Sequence, residues 1–351
     1  NKGIENQLKK GISFSIPHYL EVHASEAIGS IIPAADMIRF SKTGSDAGTA
    51  AIRAARALTK HENIAYWGGG GVWHDWFTAI TSRNKGIPQV LKKMVKKFNY
   101  NDIESLKILF EDWHGEVAAV YMEPMMLEYP KNNFLKDVKK LAHHYGSILI
   151  FDEVITGFRL SNGGAQELLG VNADIAVFGK GIANGMPLGA ITGKSEYMEI
   201  FNEIFYSTTY GGETLSLAAA VAVIEEFKEK PVVKHCWKLG EFLVREFNKL
   251  SKEIGVDIKM EGLPIRYSII CRDNDGKASV LLKSLFYQET ISRGILFGPG
   301  YVFLSYSHSK NDMERTLEAC EKSMKIIKKA IDTNTIEKSL KGKPMKPVLS
   351  F

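Results

Sequence analysis

Short apolar runs alternate with longer amphipathic segments along the first two thirds of this 351-residue chain. The runs have the length of buried strands, and the segments between them space their apolar residues three or four apart, as a helix does. The apolar runs are residues 64–66, 117–122, 148–151, 175–178 and 190–192. This alternation predicts an α/β sheet that is covered by helices on both faces.

Helical spacing is clearest in four segments, residues 21–32, 47–58, 132–145 and 215–227. Beyond about residue 231 the pattern changes: helical stretches near 239–250 and 313–327 flank two strand-like stretches, which predicts a smaller α+β domain. We therefore predict a large domain over residues 1–230 and a small C-terminal domain over 231–332. Residues 333–351, rich in Lys, Pro and Ser, are expected to form a loosely held tail.

Composition narrows the class of protein and its partners. A chain with 45% apolar and 24% charged residues is ordinary for a globular protein, and a net charge of +5 is too small at this length to imply a nucleic-acid partner. No apolar stretch reaches the roughly 18 residues of a membrane span, so no membrane partner is predicted. Cys236, Cys271 and Cys320 lack metal or disulfide spacing, which favours a reducing, cytoplasmic location.

Lys180 and Asp152 carry the strongest chemical signal. Lys180 follows the apolar run 175–178, and Asp152 ends the preceding run. A lysine at the end of a buried strand is costly unless its amine is neutralised or paired, and an imine with an aldehyde cofactor neutralises it. A carboxylate can hold a pyridine nitrogen protonated, so that the ring accepts electrons. Either residue alone fits a solvated lysine or a capping acid; together they favour pyridoxal phosphate.

A glycine-containing turn precedes the small-residue helix over 47–58. Gly44 permits close approach of a ligand, and backbone N–H groups at a helix N-terminus favour an anion, so the turn is a candidate phosphate site. Ser45 and Asp46 are also favoured capping residues, and without Lys180 a plain capped helix is the preferred explanation of this turn.

With the stretches "KTGSDAGTAAIR", "LIFDEVITGFR" and "AVFGKGIANGMPLGA" the chain resembles the class III pyridoxal-phosphate aminotransferases, in their glutamate-1-semialdehyde aminomutase-like branch. The resemblance covers most of the chain. It implies PLP fold type I, with a central mostly parallel sheet in the large domain and a smaller α+β C-terminal domain. It also implies amino-group transfer, by a transaminase or an aminomutase, on small amine and carbonyl substrates, in modified-sugar or polysaccharide biosynthesis.

The resemblance also assigns residues. Lys180 is the catalytic residue that binds the cofactor aldehyde, and Thr209 reaches the phosphate of the neighbouring subunit, which implies a homodimer with shared active sites. Read locally, Thr209 lies in a Ser/Thr-rich loop before a helix, and a turn-and-cap role would also suffice. The cofactor-binding residues implied are Gly44, Ser45, Asp46, Glu123, Asp152 and Val154.

The chain departs from the family pattern in one glycine run. Members usually carry an aromatic residue, which stacks on the cofactor, and a histidine ahead of the Trp-His-Asp motif; within 66–76 these positions are Gly70 and Gly71. Either Trp67 or Trp73 stacks there instead, or that face of the ring stays open. The family also carries a further N-terminal segment of the small lobe, which we expect to be short or missing here.

Two other classes of protein fit parts of the sequence. A binding protein that keeps the fold but has lost activity would be consistent with the glycine run, yet intact Lys180 and Asp152 argue against it. A nucleotide-binding α/β enzyme is disfavoured because no Gly-x-Gly-x-x-Gly motif follows a strand with an acidic residue about 20 positions later. His74, beside the glycine run, is either a base near the site or a packing residue.

Overall fold

The computed structural model describes residues 1–68 and 72–346. Contacts divide the chain into two compact units, one over Asn1–Lys230 and one that begins at Pro231. Within the described residues no helix is both long enough and apolar enough to cross a membrane. Gly70 and Gly71, on which the prediction of an open cofactor face depends, lie outside the described residues.

The large unit is built on a seven-stranded sheet, which is mostly parallel. Its strands are β1 (Met37–Ser41), β2 (Asn63–Trp67), β3 (Val95–Lys97), β4 (Val117–Met122), β5 (Ile148–Asp152), β6 (Ile175–Phe178) and β7 (Gly189–Gly193). Their order across the sheet is β1-β7-β6-β5-β4-β2-β3. The pairs from β6 to β3 are parallel, whereas β7 is antiparallel to both β6 and β1.

Helices connect these strands. They are α1 (Lys2–Leu8), α2 (Tyr19–Gly29), α3 (Gly44–Thr59), α4 (Asp75–Thr78), α5 (Gln89–Lys93), α6 (Ile103–Asp112), α7 (Phe134–His144), α8 (Gly164–Leu169), α9 (Ser195–Met198) and α10 (Thr214–Glu229). The second unit contains α11 (Val232–Ile254), β8 (Ile258–Leu263), β9 (Arg266–Cys271), α12 (Val280–Ile291), β10 (Val302–Phe303) and α13 (Lys310–Asp332). Its three strands form an antiparallel sheet.

The central strands are apolar throughout because both faces of the sheet are covered. In β4 every residue is buried, and successive side chains enter different cores. Val120 belongs to the buried cluster that also contains residues of α2, α7 and α10, whereas Tyr121 belongs to the cluster that contains the alanine-rich face of α3. Small residues let α3 lie close to the sheet: a Cβ at Gly48 would come within 2.8 Å of Tyr121 Oη.

The predicted α/β class with a mostly parallel sheet is confirmed, and each predicted strand overlaps an observed one. The periodicity missed β1 and β3, because β1 is only half-buried apart from Ser41 and β3 has three residues. The loosely held tail stays a prediction; among its described residues, Lys341 N donates to Gln288 Oε1 on α12 (2.7 Å), and Met345 N donates to Ser284 Oγ (2.9 Å).

Candidate functional site

The carboxyl ends of β4, β5 and β6 lie side by side. Met122 is paired with Phe151, and Asp152 is paired with Val177. Glu123 follows β4 directly, Asp152 ends β5, and Lys180 stands two residues beyond β6. The sheet therefore brings these three predicted residues to one edge, where open α/β sheets bind their ligands.

A cavity of about 300 Å³ opens at this edge. Its volume lies in the range of small-molecule sites. The predicted site residues that line it are Gly44, Ser45, Glu123, Asp152, Val154 and Lys180. Tertiary structure thus joins segments that are more than one hundred residues apart in sequence, so that a helix N-terminus, two acids and a lysine line one cavity.

Asp152 is held in place by two donors. Its side chain is only 7% exposed; Tyr121 Oη donates to Oδ2 at 3.0 Å, and the Val154 amide donates to Oδ1 at 3.1 Å. Burial, reinforced by the Asp152 carboxylate, raises the pKa of Tyr121 well above its ordinary value, so this phenol keeps its proton and donates it. The arrangement presents a fixed carboxylate to the cavity.

Lys180 stands on an unusual backbone. It begins a 3-10 turn, Lys180–Ile182, with a φ of 46°, a left-handed conformation that costs a non-glycine residue free energy and is often found at functional sites. The residue is exposed in this chain. The expected burial of Lys180 is therefore not observed. Lys180 is related to Asp152 because both residues line the same cavity.

The N-terminus of α3 forms the other wall. Thr43 Oγ1 accepts from the Asp46 amide, and Asp46 Oδ2 accepts from the Thr43 amide, so the capping interpretation of Asp46 is what the geometry displays. The turn is tightly packed: a Cβ at Gly44 would come within 2.7 Å of Val154 Cγ2. Helix α3 has 16 residues, and its macrodipole gives a partial positive charge to the N-terminus at this turn.

Several sequence candidates lie off the cavity wall. Asp46 and Thr209 do not line it, and Thr209 is exposed. Trp67 stacks on Tyr100, with ring centroids 4.2 Å apart, and is engaged there. Trp73 is 72% exposed, while its backbone amide donates to Ser45 Oγ at 3.3 Å. Neither tryptophan lines the cavity in the described part of the chain.

His74 belongs to a hydrogen-bonded network beside the predicted phosphate turn. Its Nδ1 shares a hydrogen bond of 2.6 Å with Thr49 Oγ1, which also accepts from Trp76 Nε1 at 2.9 Å. Its Nε2 lies 3.8 Å from Asp46 Oδ1. These contacts tie residues 73–76 to the first turns of α3 and match the packing interpretation of His74.

Sequence reasoning passed over part of the wall. Lys42 stands directly before the predicted phosphate turn, and 186–188 form the turn that follows Lys180 and leads into β7. Both lie inside motifs quoted above, "KTGSDAGTAAIR" and "AVFGKGIANGMPLGA", so the motifs themselves carried the signal that would have found them. Lys42 Nζ lies 3.1 Å from Glu213 Oε2, a contact that no local pattern reveals.

Comparisons with known proteins agree with this geometry. The family model "Aminotransferase class-III" matches residues 1–324. A 3-aminobutyryl-CoA aminotransferase of Cloacimonas acidaminovorans is 33% identical over 335 residues, covering 93% of this chain and 80% of that protein. A glutamate-1-semialdehyde 2,1-aminomutase of Alkaliphilus oremlandii is 33% identical over 358 residues, covering 93% and 83%.

Solved structures share the fold. FumI of Sphingopyxis sp. MTA144, in its PLP internal aldimine form, superposes with a TM-score of 0.88 and 25% identity, over 95% of this chain and 81% of that one. An omega-transaminase from Sphaerobacter thermophilus gives a TM-score of 0.85 and 25% identity, over 93% and 82%. These similarities bear out the class III resemblance, the fold and the cofactor class.

Proposed function

The chain belongs to the class III aminotransferases, which are pyridoxal-phosphate enzymes, and we propose that Lys180 is its catalytic residue. The observation that carries the assignment is the cavity itself, in which Lys180, Asp152 and the N-terminus of α3 meet. Amine, carboxylate and anion-binding turn are the three groups that this cofactor requires from a protein.

The residues present fit the cofactor. The Gly44–Ser45 turn offers a helix N-terminus to the phosphate, and Val154, packed against Gly44, supplies an apolar surface to the ring. Asp152, to which Tyr121 Oη donates a hydrogen bond, would hold the ring nitrogen protonated. Glu123 is buried at the end of β4 and adds a second acid to the wall. Asp46 supports the same turn through Thr43 rather than from within the cavity.

The chemistry divides between cofactor and protein. Pyridoxal phosphate, when bound, supplies an aldehyde that condenses with amines and a ring that accepts electrons from the substrate carbon. With the cofactor bound, the Lys180 amine would hold its aldehyde, and the same Nζ would take a proton from the substrate carbon and return it elsewhere. These residues suit both a transaminase, which moves an amino group between two molecules, and an aminomutase, which moves it within one molecule.

The test is spectroscopic and covalent. Purified protein loaded with pyridoxal phosphate should absorb in the visible, and borohydride reduction should fix the cofactor on the peptide that contains Lys180. Lys180→Ala should bind cofactor reversibly, lose the adduct and lose turnover, while the exposed Lys194→Ala serves as the matched control. An adduct on another lysine, or none, would refute the assignment.

We also propose a homodimer in which Thr209 of one chain completes the phosphate site of the other. Thr209 is exposed and does not line the cavity of its own chain. Its loop carries large apolar surface: Phe205 is 82% exposed and Tyr210 57% exposed. Exposed apolar surface of this extent is typical of a contact with another chain.

Complementation between two inactive variants tests the shared site. Chains with Lys180→Ala and chains with Thr209→Ala should each be impaired, and mixed dimers should regain one site that has both residues intact. Sites built within single chains would give no recovery above the two parents. Sedimentation of the wild-type enzyme supplies the control for its oligomeric state.

The substrates we propose are small amines and carbonyl compounds, with modified-sugar or polysaccharide biosynthesis as the first context to assay. We also propose a cytoplasmic location, because Cys236, Cys271 and Cys320 are all buried and none of them forms a disulfide. Assays with amino sugars and with simple amino acids, under reducing conditions, distinguish the substrate classes.

A further inference from the structure

Lys42 contributes a second positive charge to the cavity. Among the lining residues in the described part of the chain, Lys42 and Lys180 are the two cations, and the proposed chemistry occupies Lys180. Lys42 stands at the junction between β1 and the phosphate turn. Its side chain is 19% exposed, so a largely buried ammonium has to be compensated by protein or by ligand.

The Lys42 ammonium is positioned by Glu213. The two side chains form a 3.1 Å ion pair, and Glu213 is 12% exposed. Glu213 also caps α10: Oε1 accepts from the Leu215 amide at 2.6 Å, and Oε2 accepts from Ser216 Oγ at 2.6 Å. Burial alone would raise the pKa of the Glu213 carboxyl, but hydrogen bonds from Ser216, Lys42 and Leu215 outweigh it and lower the pKa below its ordinary value.

This geometry leaves Lys42 with capacity for an anion. An ammonium has three N–H donors, and within the described residues Glu213 takes one of them. The charge of Glu213 is already shared with the N-terminus of the sixteen-residue α10, whose dipole attracts it. The ion pair therefore fixes the position of the Lys42 ammonium and leaves N–H donors that can bind an anion.

We propose that Lys42 is a specificity-determining residue, which binds a carboxylate of the substrate and makes the site prefer amines and carbonyl compounds that carry one. The proposal rests on the function assigned above. The cofactor phosphate is the other anion that could meet Lys42, but the helix N-terminus at Gly44 and Ser45 already provides for it. A substrate carboxylate has no other cation on the described cavity wall except Lys180.

Binding of two unreactive probes to the holoenzyme tests whether Lys42 binds a substrate carboxylate or the cofactor phosphate. Butan-2-ol has a methyl group where 3-hydroxybutanoate has a carboxylate, and calorimetry gives a Kd for each without turnover. The wild type should bind the carboxylate probe at least about 10-fold more tightly, which is the size of one charge-assisted hydrogen bond. Lys42→Gln should remove most of that preference, and Lys42→Arg should retain most of it.

Three controls make the result decisive. Lys42→Gln leaves the Glu213 charge without its partner and could therefore fold poorly. The double variant Lys42→Gln/Glu213→Gln removes that charge as well, and it should show the same loss of preference for the carboxylate probe. Glu213→Gln alone should weaken the preference less than Lys42→Gln, because the ammonium remains. The affinity for pyridoxal phosphate should be nearly unchanged in Lys42→Gln.

Distinct outcomes overturn the proposal. Equal weakening of both probes in Lys42→Gln would mean that the residue only supports the loop, and loss of cofactor affinity would assign it to the phosphate. A wild-type enzyme that does not prefer the carboxylate probe, or does not bind it saturably, would also refute it. A protein that takes up no pyridoxal phosphate would refute the proposed function instead, and that result is observed before any probe is added.

Discussion

Asp152 and Glu153 are neighbours in the chain with opposite surroundings. Asp152 lines the cavity, where Tyr121 and the Val154 amide orient it. Glu153 is fully buried away from the cavity lining and accepts from Thr156 Oγ1 (2.5 Å) and from the amides of Ala165 (2.8 Å) and Gln166 (2.9 Å). The Asp152 side chain lines the cavity, whereas the Glu153 side chain caps the start of α8.

The difference shows that a buried acid and a functional acid cannot be told apart by type or by burial. Burial raises the pKa of Glu153 to about 7, with hydrogen bonds from Thr156, Ala165 and Gln166 opposing the rise. A perturbed pKa of this kind would ordinarily nominate an active-site residue. Here Asp152 lines the cavity and is the acid that we propose to bind the cofactor, whereas Glu153, whose pKa is raised, caps a helix.

The largest expected effect is on turnover in Asp152→Asn. An amide cannot hold the cofactor ring nitrogen protonated, so kcat should fall by about 100- to 1,000-fold, comparable with the removal of one preorganised electrostatic contact. Steady-state kinetics measure this. Glu153→Gln is the matched control, and its folded enzyme should keep a kcat close to that of the wild type; a comparable fall in both would abolish the distinction drawn here.

Glu153→Gln, which should leave kcat nearly unchanged, should instead lower the free energy of unfolding. In Glu153→Gln one amide N–H must face a backbone N–H, because both carboxylate oxygens now accept from the main chain. We expect the free energy of unfolding to fall by about 1–3 kcal/mol, the cost of a buried unsatisfied donor. Denaturant titration measures it, with the exposed Glu203→Gln as control. An unchanged midpoint would contradict the capping role.

The stability difference should also depend on pH. The folded-state pKa of Glu153 is raised from 4.5 to about 7, so the folded protein retains a proton that the unfolded chain releases. Its contribution to stability is fully present below the unfolded pKa of 4.5 and is lost as pH rises through about 7, by about 3 kcal/mol. Wild type compared with Glu153→Gln across this window isolates the effect; parallel curves would argue against it.

The smallest expected effect is that of Tyr121→Phe. Removing the hydroxyl takes one donor from Asp152 and should weaken cofactor affinity by about 3- to 10-fold, the worth of one hydrogen bond. Tyr66→Phe is the control, because its hydroxyl donates to the Gly68 carbonyl at 2.6 Å rather than to Asp152. Equal losses in both variants would mean that packing, not the bond to Asp152, is responsible.

Sequence predicted more of the fold than of the site. The central strands were found because burial on both faces makes them continuously apolar, whereas β1, half-buried along most of its length, left no such signal. Of the implied site residues, Gly44, Ser45, Glu123, Asp152, Val154 and Lys180 line the cavity. Their roles remain predictions, as does that of Thr209, which depends on a second chain.

What the sequence determined by itself was the order of elements and the chemistry placed at their ends. Apolar runs fix strands, and the residues after parallel strands must share one edge, so Asp152 and Lys180 could be paired from their positions alone. Only tertiary structure decided which of two adjacent acids faces the cavity and that Lys42 meets Glu213, 171 residues away. Those outcomes depend on side-chain direction and on long-range packing, which no local pattern encodes.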